Sequence, residues 1–231
     1  MKTIGLIGGM SWESSLEYYR IINEAVKARL GGLHSADCLM YSFDFAEIEA
    51  LQMSGDWETA TERMIEAAQR LEKGGARCVV ICTNTMHKMA DAVQNAIDLP
   101  LIHIADATAE VIKAQGIKNI GLLGTKFTMQ EAFYKGRLVD DHALNVLVPP
   151  TADDIATINR IIYDELVLGE INSGSRDQYV TIIEKLRGAG AEGVILGCTE
   201  IGLLIKPEDS PIPTFDTTYI HTLAAVDFAL A

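Results

Sequence analysis

Two alternating patterns of apolar residues run along the chain. Short runs that are apolar on both sides, at Ile4–Gly8, Val79-Val80-Ile81 and Val194-Ile195-Leu196, read as buried strands. Between such runs, apolar residues fall at helical spacing. Leu16, Tyr19, Ile22, Ala25, Val26 and Leu30 do so within 13–30, and Met64, Ile65, Ala68 and Leu71 within 58–71. Gly74 and Gly75 end the second pattern. Strand-like runs also span 38–45, 77–83 and 101–104, with helical patterns over 86–97 and 105–115. This alternation predicts an α/β fold of parallel sheets flanked by helices.

The second half echoes the first. Ile4-Gly5-Leu6-Ile7-Gly8-Gly9-Met10 returns as Ile120-Gly121-Leu122-Leu123-Gly124-Thr125, offset by 116. Val80-Ile81-Cys82-Thr83-Asn84-Thr85 returns as Ile195-Leu196-Gly197-Cys198-Thr199-Glu200, with Thr83 on Cys198 at an offset of 115. Two anchors in one register predict a duplication: two similar α/β lobes, 1–116 and 117–231. The last helix is free to pack back on the first lobe. No Gly/Ser- or Pro-rich linker separates the halves, so a single compact unit is expected, with the active site in the cleft between the lobes.

Charge and composition narrow the function. The 231 residues are 48% hydrophobic and 22% charged, as in ordinary globular proteins. Thirty-two acidic and 19 basic residues give a net charge of −13, which repels a phosphate backbone, so no nucleic-acid partner is expected. No apolar run reaches the roughly 18 residues of a membrane span, and the N-terminal stretch is too short for a signal peptide. A cytoplasmic protein with reduced thiols and no membrane partner is expected. Cys38, Cys78, Cys82 and Cys198 form no C-x-x-C pair and no ligand ladder with the histidines, so no metal is expected.

Ligands of open parallel sheets bind beyond the carboxyl ends of strands. The turns at Met10, Thr83–Thr85, Thr125 and 198–200 are therefore expected to line the site. Backbone N–H groups opening the following helices suit a small carboxylate. Gly8-Gly9 lacks both the G-x-G-x-x-G and the G-x4-G-K-[ST] spacing and reads as a tight turn, so no nucleotide, flavin or pyridoxal cofactor is expected. Cys198, at a strand end and helix start, is expected to be an accessible thiol of lowered pKa. Thr83 is its mate in the other half. Two such groups suit removal of a proton from one face of a carbon and its return on the other. Cys82 should point to the opposite face of its strand from Thr83. His87 reads as an internal contact of the following helix, and the other histidines carry no spacing signal. Asp106 and Asp216, after short strands, read as N-caps.

Three blocks then resemble the aspartate/glutamate racemase family: Gly5–Ser15 with Tyr18-Tyr19, Thr83-Asn84-Thr85-Met86-His87, and Gly197-Cys198-Thr199-Glu200-Ile201. The resemblance is closest to its bacterial L-aspartate/glutamate-specific members, which keep a Thr/Cys pair. It implies two α/β lobes, no cofactor, a homodimer, and a base and acid pair on the α-carbon of an amino acid. Cys198 matches the second catalytic cysteine and acts on the L-enantiomer. Thr83 stands where the family's first cysteine belongs, and it, or water it orders, reprotonates the other face. Asn84, Thr85 and Thr199 match residues that hold the α-groups; Met10 and Gln52 match substrate-contacting positions. Glu200 resembles the aspartate-racemase branch. No lysine follows Tyr163 as in some aspartate racemases, which leaves the choice between Asp and Glu open. Two alternatives stand beside this: a single-cysteine decarboxylase or isomerase of a small dicarboxylate, and a catalytically silent amino-acid-binding protein.

Overall fold

The computed structural model describes residues 1–231. The chain divides into two compact units, residues 1–103 with 221–231, and residues 104–220. In the first unit, β1 (Ile4–Gly8), α1 (Trp12–Leu30), β2 (Cys38–Ser42), α2 (Phe45–Ser54), α3 (Trp57–Lys73), β3 (Cys78–Ile81), α4 (Ala90–Asn95) and β4 (Leu101–Ile102) form a parallel sheet of order β2-β1-β3-β4 with its helices. The second begins with α5 (Ile104–Ala114). It continues through β5 (Asn119–Gly124), α6 (Lys126–Gln130), α7 (Ala132–Asp140), β6 (Asn145–Leu147) and α8 (Ala152–Asp164). It ends with α9 (Ser173–Gly188), β7 (Gly193–Gly197), α10 (Ile201–Leu204) and β8 (Thr214–Asp216). Its sheet, also parallel, has the order β6-β5-β7-β8. The last helix, α11 (Thr217–Leu230), starts in the second unit and finishes in the first.

The duplication is visible in register. Ile4 pairs with Cys78 as Ile120 pairs with Gly193, so the offsets of 116 and 115 found in the sequence are those of the strand pairing. Each sheet is buried on both faces by period-two alternation. In the first unit Ile7, Val79 and Ile81 face one core with Met64, Ala68 and Met86. Ile4, Leu6, Cys78, Val80 and Cys82 face the other, with Tyr18, Ile22, Ala225 and Val226. In the second, Leu123, Val194, Leu196 and Cys198 lie on one face, and Ile120, Leu122, Ile195 and Phe215 on the other. Side-chain caps start the helices: Ser11, Asp44 and Asp56 in the first unit, Thr125, Thr151 and Asn172 in the second.

Three sequence expectations change. The run over 38–45 is a strand only to Ser42, because Asp44 accepts the Ala46 N–H and opens α2. The helical pattern over 86–97 is a 3₁₀ turn, Thr85–Met89, followed by the short α4. The units meet in sequence at 103/104 rather than 116/117. The reason is α5, whose Ile104, Ala105, Ala109 and Ile112 are buried in one core with Ile120, Leu122 and Leu138 of the second unit.

Candidate active site

The strand-end turns of the first unit carry four of the singled-out residues, and α2 carries a fifth. β1 leads into Gly9, whose φ of +80° and closeness to the Phe43 backbone leave no room for a Cβ. Met10 follows, buried in the same core as Phe43, Ile48 and Met86. Gln52 reaches this group from α2; its Nε2 lies 3.2 Å from the Met86 sulfur. Thr83, Asn84 and Thr85 come after β3, and all three are buried. Thr83 continues the Val79–Ile81 parity, whereas Cys82 packs into the opposite core. Burial pushes the Cys82 thiol far up.

Thr83 is held through its backbone. Its N–H donates to the Ile81 carbonyl at 2.9 Å, and its own carbonyl lies 2.7 Å from His87 Nδ1. His87 is 2% exposed. Its ring meets those of His103 and His221 edge to face, with centroids at 4.6 and 5.6 Å. His221 Nε2 lies 2.7 Å from the Ile102 carbonyl, and its Nδ1 lies 2.9 Å from the Tyr18 hydroxyl. A carbonyl only accepts, so Nε2 carries the hydrogen and Nδ1 accepts from Tyr18. Burial lowers the His221 pKa to about 4, against a smaller upward effect from the Ile102 carbonyl, so the ring is neutral at pH 7.

In the second unit, β7 ends at Gly197, where a Cβ would lie 2.6 Å from the Leu123 carbonyl. Cys198 follows on the Val194–Leu196 face, at the position equivalent to Thr83, and each of the two is 9% exposed. The Cys198 thiol donates to Glu200 Oε2 at 2.9 Å, and the Thr199 hydroxyl donates to the same oxygen at 2.8 Å. Glu200 is itself buried. Burial pushes the Cys198 thiol well up, and the Glu200 carboxylate adds to this by repulsion and by accepting the thiol hydrogen; backbone N–H groups of Glu200 and Thr199 offset only part.

The expected accessible, acidified thiol is thus corrected. The helix after Cys198 is the four-residue α10, too short for a strong N-terminal dipole, and desolvation with an adjacent carboxylate outweighs it. Thr125 caps α6 by accepting the Thr128 N–H. Asp216 caps α11, accepting from the Thr218 and Tyr219 N–H groups. Asp106 does not cap: it lies inside α5, paired bidentately with Arg137 and bonded to His142.

Met10, Gln52, Thr83, Asn84 and Thr85 therefore lie in the first unit, and Cys198 and Thr199 in the second. Two features of the candidate site were not read beforehand, the hold of Glu200 on the Cys198 thiol and the grouping of three imidazoles. Glu200 stood in the motif, and its i+2 spacing from a strand-end cysteine was the available signal. The grouping of His87, His103 and His221 had none, because the ring contacts join residues 16 and 134 positions apart. No set of three or more His, Cys, Asp or Glu side chains is arranged to hold a metal ion.

Comparison with known proteins places these features in a wider group. The model of the Asp/Glu/hydantoin racemase family matches residues 7–225. A Yersinia pestis structure described as a candidate Asp/Glu racemase is 56% identical, with each chain covered in full and a TM-score of 0.93. An aspartate racemase homologue from Pyrococcus horikoshii is 36% identical over the whole of both chains, with a TM-score of 0.86. The broad-specificity amino-acid racemase RacX of Bacillus subtilis is 24% identical over 178 residues, 76% of this chain and 75% of its own.

Proposed function

This chain belongs to the Asp/Glu/hydantoin racemase family, a family of isomerases, and from that premise we propose that it racemises L-aspartate, L-glutamate or both without a cofactor. The carrying observation is that Thr83 and Cys198 occupy equivalent strand-end positions in two units of the same topology. Cys198 removes the α-proton of the L-enantiomer. Its own thiol proton passes to Glu200 Oε2 as the sulfur becomes a thiolate, which then takes the proton from the α-carbon. Thr83, or water it orders, gives a proton to the opposite face, and the proton held by Glu200 returns through water to reset Thr83. Asn84, Thr85 and Thr199 hold the α-amino and α-carboxylate groups; Met10 and Gln52 border the side chain of the substrate.

The enantiomers have equal free energy, so kcat/KM is equal in both directions. A weak acid at Thr83 slows both alike. Proton NMR of L-Asp and L-Glu in D₂O, with chiral analysis of the product, tests the reading. Expected are α-deuteration and D-product, both abolished in Cys198→Ala. No Cys198-dependent exchange in either amino acid overturns it. Turnover of a substituted malonate would then favour the decarboxylase, and ligand-induced stabilisation alone the binding protein.

The same reading places the protein in the cytoplasm, where its four cysteines stay free thiols. No helix is long and apolar enough to cross a membrane. A homodimer completes the proposal. Its support is an exposed stripe on α1, where Trp12, Leu16 and Tyr19 recur at i, i+4 and i+7, 65%, 54% and 50% exposed.

A further inference from the structure

We infer that His87 is a positioning residue for Thr83, a role that rests on the proposed racemisation. The His87 Nδ1 lies 2.7 Å from the Thr83 carbonyl, so this nitrogen carries the ring hydrogen and donates it. The other end of the same residue is fixed as well, through the Thr83 N–H to the Ile81 carbonyl. Both backbone groups of Thr83 are therefore committed, and with them the direction of its Cα–Cβ bond. The ring that does this is buried against the edges of two more imidazoles, His103 and His221. His221 is tied to Ile102 on β4 and to Tyr18 on α1. Thr83 is thus referred, through His87 and its neighbours, to three separate parts of its unit.

The internal repeat shows that this arrangement is not a demand of the shared fold. At the offset of 115 that places Thr83 on Cys198, His87 falls on Gly202. There the space of a side chain is taken by the Asp216 carboxylate, and the glycine leaves His87 without a counterpart in the second half. The half that carries the cysteine has a carboxylate on its catalytic atom; the half that carries the threonine has an imidazole on its backbone. A threonine hydroxyl is a far weaker acid than a thiol, so reprotonation by Thr83 is the slower half of the exchange and a loss of its placement shows directly in the rate of D-product formation. A misplacement of about 1 Å is enough to cost on the order of 10²-fold in rate.

The consequence is one-sided. Loss of the His87 donor should impair reprotonation by Thr83 and spare proton removal by Cys198. The test compares wild type, His87→Ala and His87→Asn, whose Nδ2–H stands near the place of the lost Nδ1–H. Two turnover readouts are followed: wash-out of the L-substrate's α-proton in D₂O, and D-product formation. Two further readouts need no turnover: the His87 tautomer by ¹⁵N NMR, and the Thr83 methyl signal, identified by its loss in Thr83→Ser. Expected are an Nδ1–H tautomer in the wild type and a methyl signal displaced in His87→Ala but not in His87→Asn. D-product formation should fall about tenfold or more in His87→Ala, with wash-out kept within about twofold and D-product largely restored in His87→Asn. An Nε2–H tautomer overturns the proposal. So does a parallel fall of wash-out and D-product that His87→Asn does not repair, which is the mark of a structural role alone. A wild type that neither exchanges nor racemises, yet shows the Nδ1–H tautomer and the methyl response, sinks the racemase reading while supporting the hold of His87 on Thr83.

Discussion

Cys198 is kept protonated by three effects of one sign: burial, the nearby Glu200 charge, and the hydrogen bond to that carboxylate. Glu200→Gln removes the last two. The thiol pKa should then move down, and the midpoint of the iodoacetamide pH–rate profile at Cys198 with it. Activity should move the other way, because the acceptor for the thiol proton is gone; wash-out of the substrate's α-proton is expected to fall roughly 10²-fold. A variant with an unchanged alkylation midpoint would show that Glu200 does not govern this thiol. His221 supplies a second residue-scale prediction. Its folded pKa, about 4, lies below the ordinary 6.5, so the unfolded chain takes up the proton first as pH falls. The stability it contributes is complete above pH 6.5 and is lost toward pH 4, by up to about 3 kcal/mol. Urea unfolding at pH 7 and pH 4.5 should show a smaller drop for His221→Gln than for wild type, and equal drops would sink the assignment.

At the scale of elements, the site depends on turns that end strands at fixed points. Gly9 and Gly55 both have positive φ, yet they differ in surroundings. A Cβ on Gly9 would run into the Phe43 backbone, whereas one on Gly55 meets open space. Gly55→Ala should cost about 1 kcal/mol, the conformational term alone. Gly9→Ala should cost well above that, roughly 2–4 kcal/mol, because backbone must move. Chemical denaturation of the two variants checks the order. Only Gly9→Ala should also disturb catalysis, since the turn leads into Met10.

For the whole molecule, the proposed homodimer rests on the α1 stripe. Along α1, Glu13 and Glu17 lie in the first half and Lys27 and Arg29 in the last. Two of these charges are already paired within the chain, Glu17 with Arg20 and Arg29 with Asp227, so the apolar stripe rather than charge carries the proposed contact. Leu16→Glu combined with Tyr19→Glu should convert a dimer to monomer in sedimentation velocity without unfolding it, since both side chains are half exposed. A dimer that survives both substitutions would place the interface elsewhere.

The alternation of apolar runs and the echo at 115–116 were sufficient to read the α/β class and the duplicated topology, and the strand-end blocks made Thr83 and Cys198 the candidates. Those features are local or periodic, and periodicity is written in the chain. The boundary at 103/104 was not, because α5 looks like any amphipathic helix until its apolar face finds the core of Ile120 and Leu138. The charge state of Cys198 was not legible either. A strand-end cysteine suggests an activated thiol, but burial and the position of one carboxylate oxygen decide the sign. The same holds for His87, His103 and His221, whose meeting is a property of how β3, β4 and α11 pack. Desolvation and side-chain juxtaposition arise from contacts between distant residues, and only the tertiary structure decides them.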